Sequence, residues 1–440
     1  MRRKKNISGR KLDRKNERGV VITLVAVFML CVVGAMAALS IDVVTIYTAR
    51  SEAQLAADGA ALAAARVIAN SGATSDPTGT LLGTVEAAAG PAQNVAVQVA
   101  EQNQVGGTYL TGANILTPTF AGTYTNPTVT VKVQVTNLPT FFARIWGTKF
   151  VTVAASATAE AYNPSGVVGT SSTTKLPVAP MCVKPWLLPN IDPSGGTTIF
   201  DPNSGTITNR NLLGWTSSSA ATRLSVACPN GNCSGQLTGP VVAWKYYPGD
   251  PATNFPPPTQ ALPSCTPALA TPYEESVAGC IQTALACNST GVNIDFSNYG
   301  NNRNRETAEA VNCLTHARDG GDVVTSTAPP SSPFEFVAGA GNPIPGASGN
   351  DVMVSDSLVT VPVYDSGTDQ NPPTGPVTIV GFVELFLNPN GQPTPAFGPN
   401  RGLVNTTIIN MTGCGTSTTG APAAILGNGA SPVAVRLISP

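Results

Sequence analysis

The sequence predicts an α+β protein on a membrane stem. It reads as a single N-terminal transmembrane helix extended into a long Ala-rich stalk helix, then a mainly β exported head with short helical insertions and disulfides. Three observations predict this. The stretch Gly19–Ile41, "GVVITLVAVFMLCVVGAMAALSI", carries no charged side chain. Helical spacing of small residues continues past it as far as Asn70. Beyond residue 70, alternating Val/Thr segments are punctuated by turn residues, in a chain with abundant Gly (43) and Pro (38), the composition of a turn-rich β protein.

The first element is a basic tail, residues 1–18. It holds nine Lys/Arg and two acids, a net +7, whereas the chain as a whole is at −1. Nucleic-acid binding needs a basic patch on the folded body, and the rest of the chain is acidic, so no nucleic-acid partner is expected. Beside an apolar run, the tail instead sets topology: it stays cytoplasmic and everything beyond the span is exported. The span itself, 19–41, matches the roughly 20 apolar residues that cross a bilayer as helix. A cleaved signal peptide has a shorter apolar core of about 7–15 residues. Ala35-Met36-Ala37 offers cleavage-like spacing, but the helical pattern runs straight through it, so an uncleaved anchor in the cytoplasmic (inner) membrane is expected.

Next comes an Ala-rich juxtamembrane helix, 42–70. Ala53, Ala57, Ala60 and Ala64 recur at steps of four, three and four, and alanine is the best helix former. No proline lies between Gly19 and Asn70, so one helix of about 75 Å is expected there. Small residues let backbones approach closely. The alanine face therefore packs either on the chain's own head or on another helix, and Gly34 and Ala38 offer the same feature inside the span. Asp42, at the boundary, is expected to be solvated at the membrane edge; the alternative is a paired acid within a bundle.

A small α+β membrane-proximal domain is expected over 71–162. "AQNVAVQVAEQNQ" reads as helix, with a strand at Val95–Val99 as the alternative. "TVTVKVQVTN" alternates strictly and reads as a half-buried strand, and "KFVTVAASATAEAY" as a second. Between them Phe141, Phe142, Ile145 and Trp146 have helical spacing. A short core helix is the preferred reading; a foot on the membrane surface is the other. A Gly/Ser/Thr linker follows at 163–175.

The Cys-containing β-rich exported domain is placed at 176–440. Strands are expected at Val352–Tyr364, Val377–Leu387, Leu403–Ile409 and Val433–Ile438, helices at Tyr273–Asn288 and Asn304–Ala317, and an extended Pro-rich loop over Tyr246–Pro272. Cys31 lies in the span, whereas Cys182, Cys228, Cys233, Cys265, Cys280, Cys287, Cys313 and Cys414 all lie beyond residue 180. An even number in an exported region reads as up to four disulfides. Cys228–Cys233 across "CPNGNC" is a plausible pair, and Cys280 and Cys287, seven apart, suit two different partners. Cys313 and His316 have i,i+3 spacing for a metal, but two further ligands have no spacing signal, so no metal and no cofactor are expected.

Arg18-Gly19, the apolar run, Asp42, Tyr47, Ala49-Arg50 and Ala56-Ala57-Asp58 together resemble the N-terminal segment of the TadE/TadG-like proteins of tight-adherence (Flp) pilus systems. The strand, "PTFFAR" step and Ala/Thr strand of 126–161 resemble the same family. The resemblance implies a pilus-assembly role with protein partners in the cell envelope. Two departures limit it. Processed pilins carry Glu at the fifth residue after the processing Gly, where this chain has Leu24, so the resemblance is to the unprocessed, anchored type. No D-x-S-x-S motif is present, so the metal site of the family's von Willebrand A members is not implied.

Catalysis is not expected. No G-x-S-x-G elbow, phosphate-binding G-x-x-x-x-G-K-[ST] loop, H-E-x-x-H or EF-hand loop occurs, and no small-molecule substrate is expected. The function expected is therefore a membrane-anchored structural component of a Tad/Flp-type pilus assembly or secretion apparatus, with its head in the periplasm or at the cell surface. The alternative is an anchored exported adhesin, carbohydrate-binding protein or hydrolase.

Overall fold

The computed structural model describes residues 15–163, 178–192, 197–208, 210–214, 216–217, 220–226, 243–248, 265, 268–281, 283–287, 303–324, 333–367, 375–388, 403–414, 423–425 and 431–439. The linker at 164–175, most of the Pro-rich stretch, Cys228 and Cys233 lie outside these residues.

Helix α1 (Lys15–Asn70) is 56 residues long and continuous through Ile41. Nothing in its sequence interrupts the ladder. In its apolar half the Thr23 hydroxyl bonds the carbonyl four residues back, Gly19 O, and just past it Thr45 does the same to Ile41 O, which satisfies them without water. Gly19–Asn70 is long and apolar enough to cross a membrane. The helix ends where Gly72 takes φ +80°. A Cβ there would sit 2.8 Å from the Ile409 carbonyl oxygen, so glycine both turns the chain and lets it approach the head.

The two halves of α1 meet different surroundings. From Val20 to Leu39 the large apolar side chains other than the half-buried Val32 are exposed, while Ala49, Ala53, Ala56, Ala57, Ala60, Ala61, Ala64, Ala65 and Ile68 are buried. What buries them is an antiparallel sheet, β1 (Ile115–Ala121), β2 (Thr128–Pro139) and β3 (Phe150–Tyr162). Period-2 alternation turns Val129, Val131 and Val133 of β2, and Val153, Ala155, Ala157, Ala159 and Ala161 of β3, onto the helix. Alanine faces alanine, so helix and sheet approach closely and form one core. Two more helices complete this unit, α2 (Thr80–Val85) and α3 (Pro91–Glu101). The segment after Gly90 is thus helix, with Pro91 at its first turn. Its buried stripe is Ala92, Ala96 and Ala100, while Val95 and Val99 lie at its half-buried edge.

Among the described residues the main sheet of the head is built on six longer strands: β4 (Trp186–Pro189), β5 (Ala220–Val226), β6 (Ala243–Pro248), β7 (Leu358–Tyr364), β8 (Ile379–Leu387) and β9 (Leu403–Gly413). They pair in the order β6-β4-β7-β8-β9-β5, and β6 pairs with β5 as well, so the pairings close into a ring. Every residue of β7 and β8 is buried, which is why these strands read as continuous apolar runs rather than alternating ones. Helix α4 (Pro272–Ala278) starts at a capping box in which Thr271 and Glu274 bond each other's backbone. The helix expected over Tyr273–Asn288 stops at Ala278; Gly279 is extended and ends it, so Cys280 and Cys287 sit in the following loop. Helix α5 (Arg303–Leu314) forms where expected.

Among the described residues three disulfides join these parts: Cys182–Cys280, Cys265–Cys313 and Cys287–Cys414. Cys280 and Cys287 do take different partners. The last strand, β10 (Ala434–Ser439), leaves the head. It pairs antiparallel with β3, giving the first sheet the order β10-β3-β2-β1. The sequence places 434–439 in the 176–440 unit; its alternation serves the other sheet, where Arg436 pairs with the buried Glu160. A strand's pattern shows that it has a buried face but not which sheet supplies the neighbour.

Candidate functional site

The β2–β3 hairpin runs the full length of the outer half of α1. Twelve residues of β2 span about 40 Å at about 3.3 Å each, and Asp42 to Asn70 spans about 42 Å at 1.5 Å each. Midway, the Gln54 side-chain amide donates to the Ser156 carbonyl at 3.2 Å and to Asp58 Oδ1 at 2.7 Å. The hairpin tip therefore lands beside Asp42, the first residue after the apolar span.

There Asp42 is 3 % exposed and accepts three backbone N–H bonds from the tip: Phe141 at 2.9 Å, Phe142 at 3.0 Å and Ala143 at 2.6 Å. Burial alone would raise its pKa, but the N–H groups of Ala143, Phe141 and Phe142 outweigh it and hold the carboxyl below its ordinary value. Asp42 is thus not a solvated edge acid: it is spent on fixing the loop. Within the loop, the Thr140 amide donates to Lys149 O at 3.1 Å, and Gly147 at φ +98° turns the chain back.

The tip is not a core helix. Residues 143–146 form one short helical turn, and its large side chains face outward: Phe141 is 61 % exposed, Ile145 73 %, Trp146 62 % and Phe150 57 %. Helical spacing of aromatics looks the same whether a helix is buried or stands on a surface. The signal that separates them is the reach of the hairpin, since β2 and α1 match in length only if the tip sits at the span's edge. Beside it a recess of about 350 Å³ is lined by Val44, Thr48, Glu52, Gly106, Leu138 and Phe141, among others. Glu52 Oε2 accepts from the Gly106 amide across it at 2.7 Å.

At the far end of α1 a buried polar joint binds helix to head. The Asn410 side-chain amide, on β9, donates to the Ala69 carbonyl and to Glu384 Oε2 on β8. Ser75 and Met411 exchange two bonds: Oγ donates to Met411 O at 3.0 Å and accepts from Met411 N at 2.9 Å. Asn163 donates to the same carbonyl at 2.9 Å, and Ser431 Oγ donates to Glu384 Oε2 at 3.0 Å. Burial raises the Glu384 pKa to about 7 against the opposing pull of Asn410, Arg66 and Ser431. Arg210 pairs with the buried Asp76 at 3.1 Å just beyond. No single sequence motif marks this joint, because its members come from five separate segments.

The other expected site residues separate cleanly. Ala53, Ala57, Ala60 and Ala64 are fully covered by the chain's own sheet and α3, so that face is not open to another helix. Gly34 has nothing within 4 Å of where a Cβ would stand; Ala38 lies one turn further along the same exposed half. Cys313 is joined to Cys265, which removes it from any ligand set with His316, and His316 Nε2 instead meets Asp356 at 3.1 Å. Lys184 is buried and donates to the Gly279 carbonyl at 2.8 Å, with burial lowering its pKa to about 7.

Residues 19–67 match the model of the family described as Flp pilus-assembly TadE/G-like. The match covers the apolar half of α1, Asp42 and most of the alanine face, and stops before the sheet that packs on them. Among curated proteins and among solved structures nothing matches the chain.

Proposed function

We propose, from the Flp pilus-assembly match of residues 19–67, that this chain is a membrane-anchored structural component of a Tad/Flp-type pilus assembly or secretion apparatus. Its N-terminus lies in the cytoplasm and its head is exported across the inner membrane. The observation that carries the reading is the match itself, which falls on a helix whose apolar half is exposed along its whole length. The three disulfides among the head's described residues suit an exported compartment.

The role proposed is non-enzymatic. The most perturbed groups among the head's described residues, Glu384 and Lys184, are enclosed and bonded within the fold, which supports a structural use for them. With the alanine face covered by the chain itself, partner helices are assigned to the span, where Gly34 and Ala38 leave the backbone approachable. The test is genetic. Deleting the chain from cells that assemble Flp-type filaments removes the filaments, and the full chain restores them while residues 42–440 do not. Filaments that persist without the chain would refute the reading.

A further inference from the structure

We propose that the β2–β3 tip is a second membrane contact, seated in the lipid headgroup layer of the bilayer that the span crosses. The proposal rests on the reading of α1 as a membrane anchor. Its partner is the lipid surface itself, and the result is a head held down at two points rather than swinging on one.

Four observations carry it. First, Phe141, Ile145, Trp146 and Phe150 are each more than half exposed within ten residues of chain. Exposed apolar side chains scattered singly are ordinary, but a cluster marks a contact surface. Second, Asp42 fixes the height of the cluster. Its three bonds to Phe141, Phe142 and Ala143 tie the tip to the first residue beyond the apolar run, which is the level of the headgroups when the span is in a bilayer. Third, the tip's apolar surface is continuous with that of α1. Phe141 lines the same recess as Val44, and Leu39, Ile41, Val43 and Val44 are themselves exposed. Fourth, Arg144 and Lys149, both exposed, stand among the aromatics. Aromatic rings with long cations reaching for phosphates are the chemistry of a membrane–water interface. The clamp uses only backbone N–H groups of the tip, which leaves the exposed side chains of Phe141, Ile145, Trp146 and Phe150 free for lipid.

The test uses the full chain in vesicles of phosphatidylcholine and phosphatidylglycerol, with and without brominated phosphatidylcholine as quencher. The emission that Trp146 contributes is the difference between wild type and Trp146→Phe. That difference is expected to be largely lost in brominated vesicles. An unchanged difference overturns the proposal. In a parallel arm, a photoreactive benzoylphenylalanine at Ile145 is expected to form lipid adducts; adducts to a second copy or to another protein overturn it. Carbonate washing separates the two readings. A chain that stays in the vesicles but shows no Trp146 quenching loses only the tip contact, whereas a chain washed free loses the anchor and the tip contact together.

Discussion

Two buried carboxylates respond to pH in opposite directions, and each reports on one end of the stem helix. Asp42 is held below its ordinary pKa because it accepts three N–H bonds. Its contribution is present above the unfolded value of about 3.8 and is lost as pH falls through the still lower folded value. Protection of the Phe141, Phe142 and Ala143 amides against exchange, relative to their intrinsic rates at each pH, is therefore expected to be high at neutral pH and to be lost only below about pH 3.8. In Asp42→Ala the same three amides are expected to lose that protection at neutral pH while the β8 amides keep theirs; equal protection in the variant would show that the loop does not depend on the clamp. Glu384 has the reverse sign. Its folded pKa is raised from 4.5 to about 7, so the folded state holds the proton more tightly and stability falls as pH rises from about 4.5 to 7. Glu384→Gln keeps an acceptor for Asn410 and Ser431 without a charge to bury. It is expected to match wild type near pH 4.5 and to exceed it above pH 7 by on the order of 3 kcal/mol, read as the difference in unfolding midpoints across that pH range.

The alanine face of α1 shows how far pattern reading goes. Its helical period was legible in full, because alanine at steps of three and four has no other regular use. Its partner was not, since small side chains suit a helix and a sheet equally. The sheet half of the answer was also in the sequence, in the alternation of Val153, Ala155, Ala157, Ala159 and Ala161, but nothing in either pattern says that the two faces meet. The same holds for the tip aromatics, whose spacing was clear and whose exposure depends on where a distant helix ends. Close approach makes the alanine face sensitive to size. Ala57 is fully buried between α1 and its neighbours, and Ala57→Leu is expected to cost about 1–3 kcal/mol by overpacking. Leu55, exposed on the opposite face, is the control: Leu55→Ala is expected to change the unfolding midpoint little. Equal effects at the two positions would mean that the face is not packed as described.

The chain visits its first unit twice. It builds the helix-and-hairpin unit first, passes into the head, and returns as β10 to close the edge of β3. The buried joint of Asn410, Glu384, Ser75, Asn163 and Ser431 fastens the same two units from the side. With a disulfide from Cys287 to Cys414 tying the loop after α4 to the end of β9, the position of β9, and so of the joint, is set from both sides. A rigid post follows, rather than a head on a hinge. The last strand is the place to test this. Removing 434–440 uncovers the edge of β3 and strips Glu160, 4 % exposed, of its Arg436 partner. With β3 left as an unpaired edge, the truncated chain is expected to be cut by protease within β3 while the disulfide-linked head survives as a resistant fragment. Arg436→Met keeps the strand and leaves Glu160 covered without its partner, and is expected to lose stability without new cleavage in β3. If the truncated chain resists protease as wild type does, β10 does not hold the units together and the rigid-post description fails.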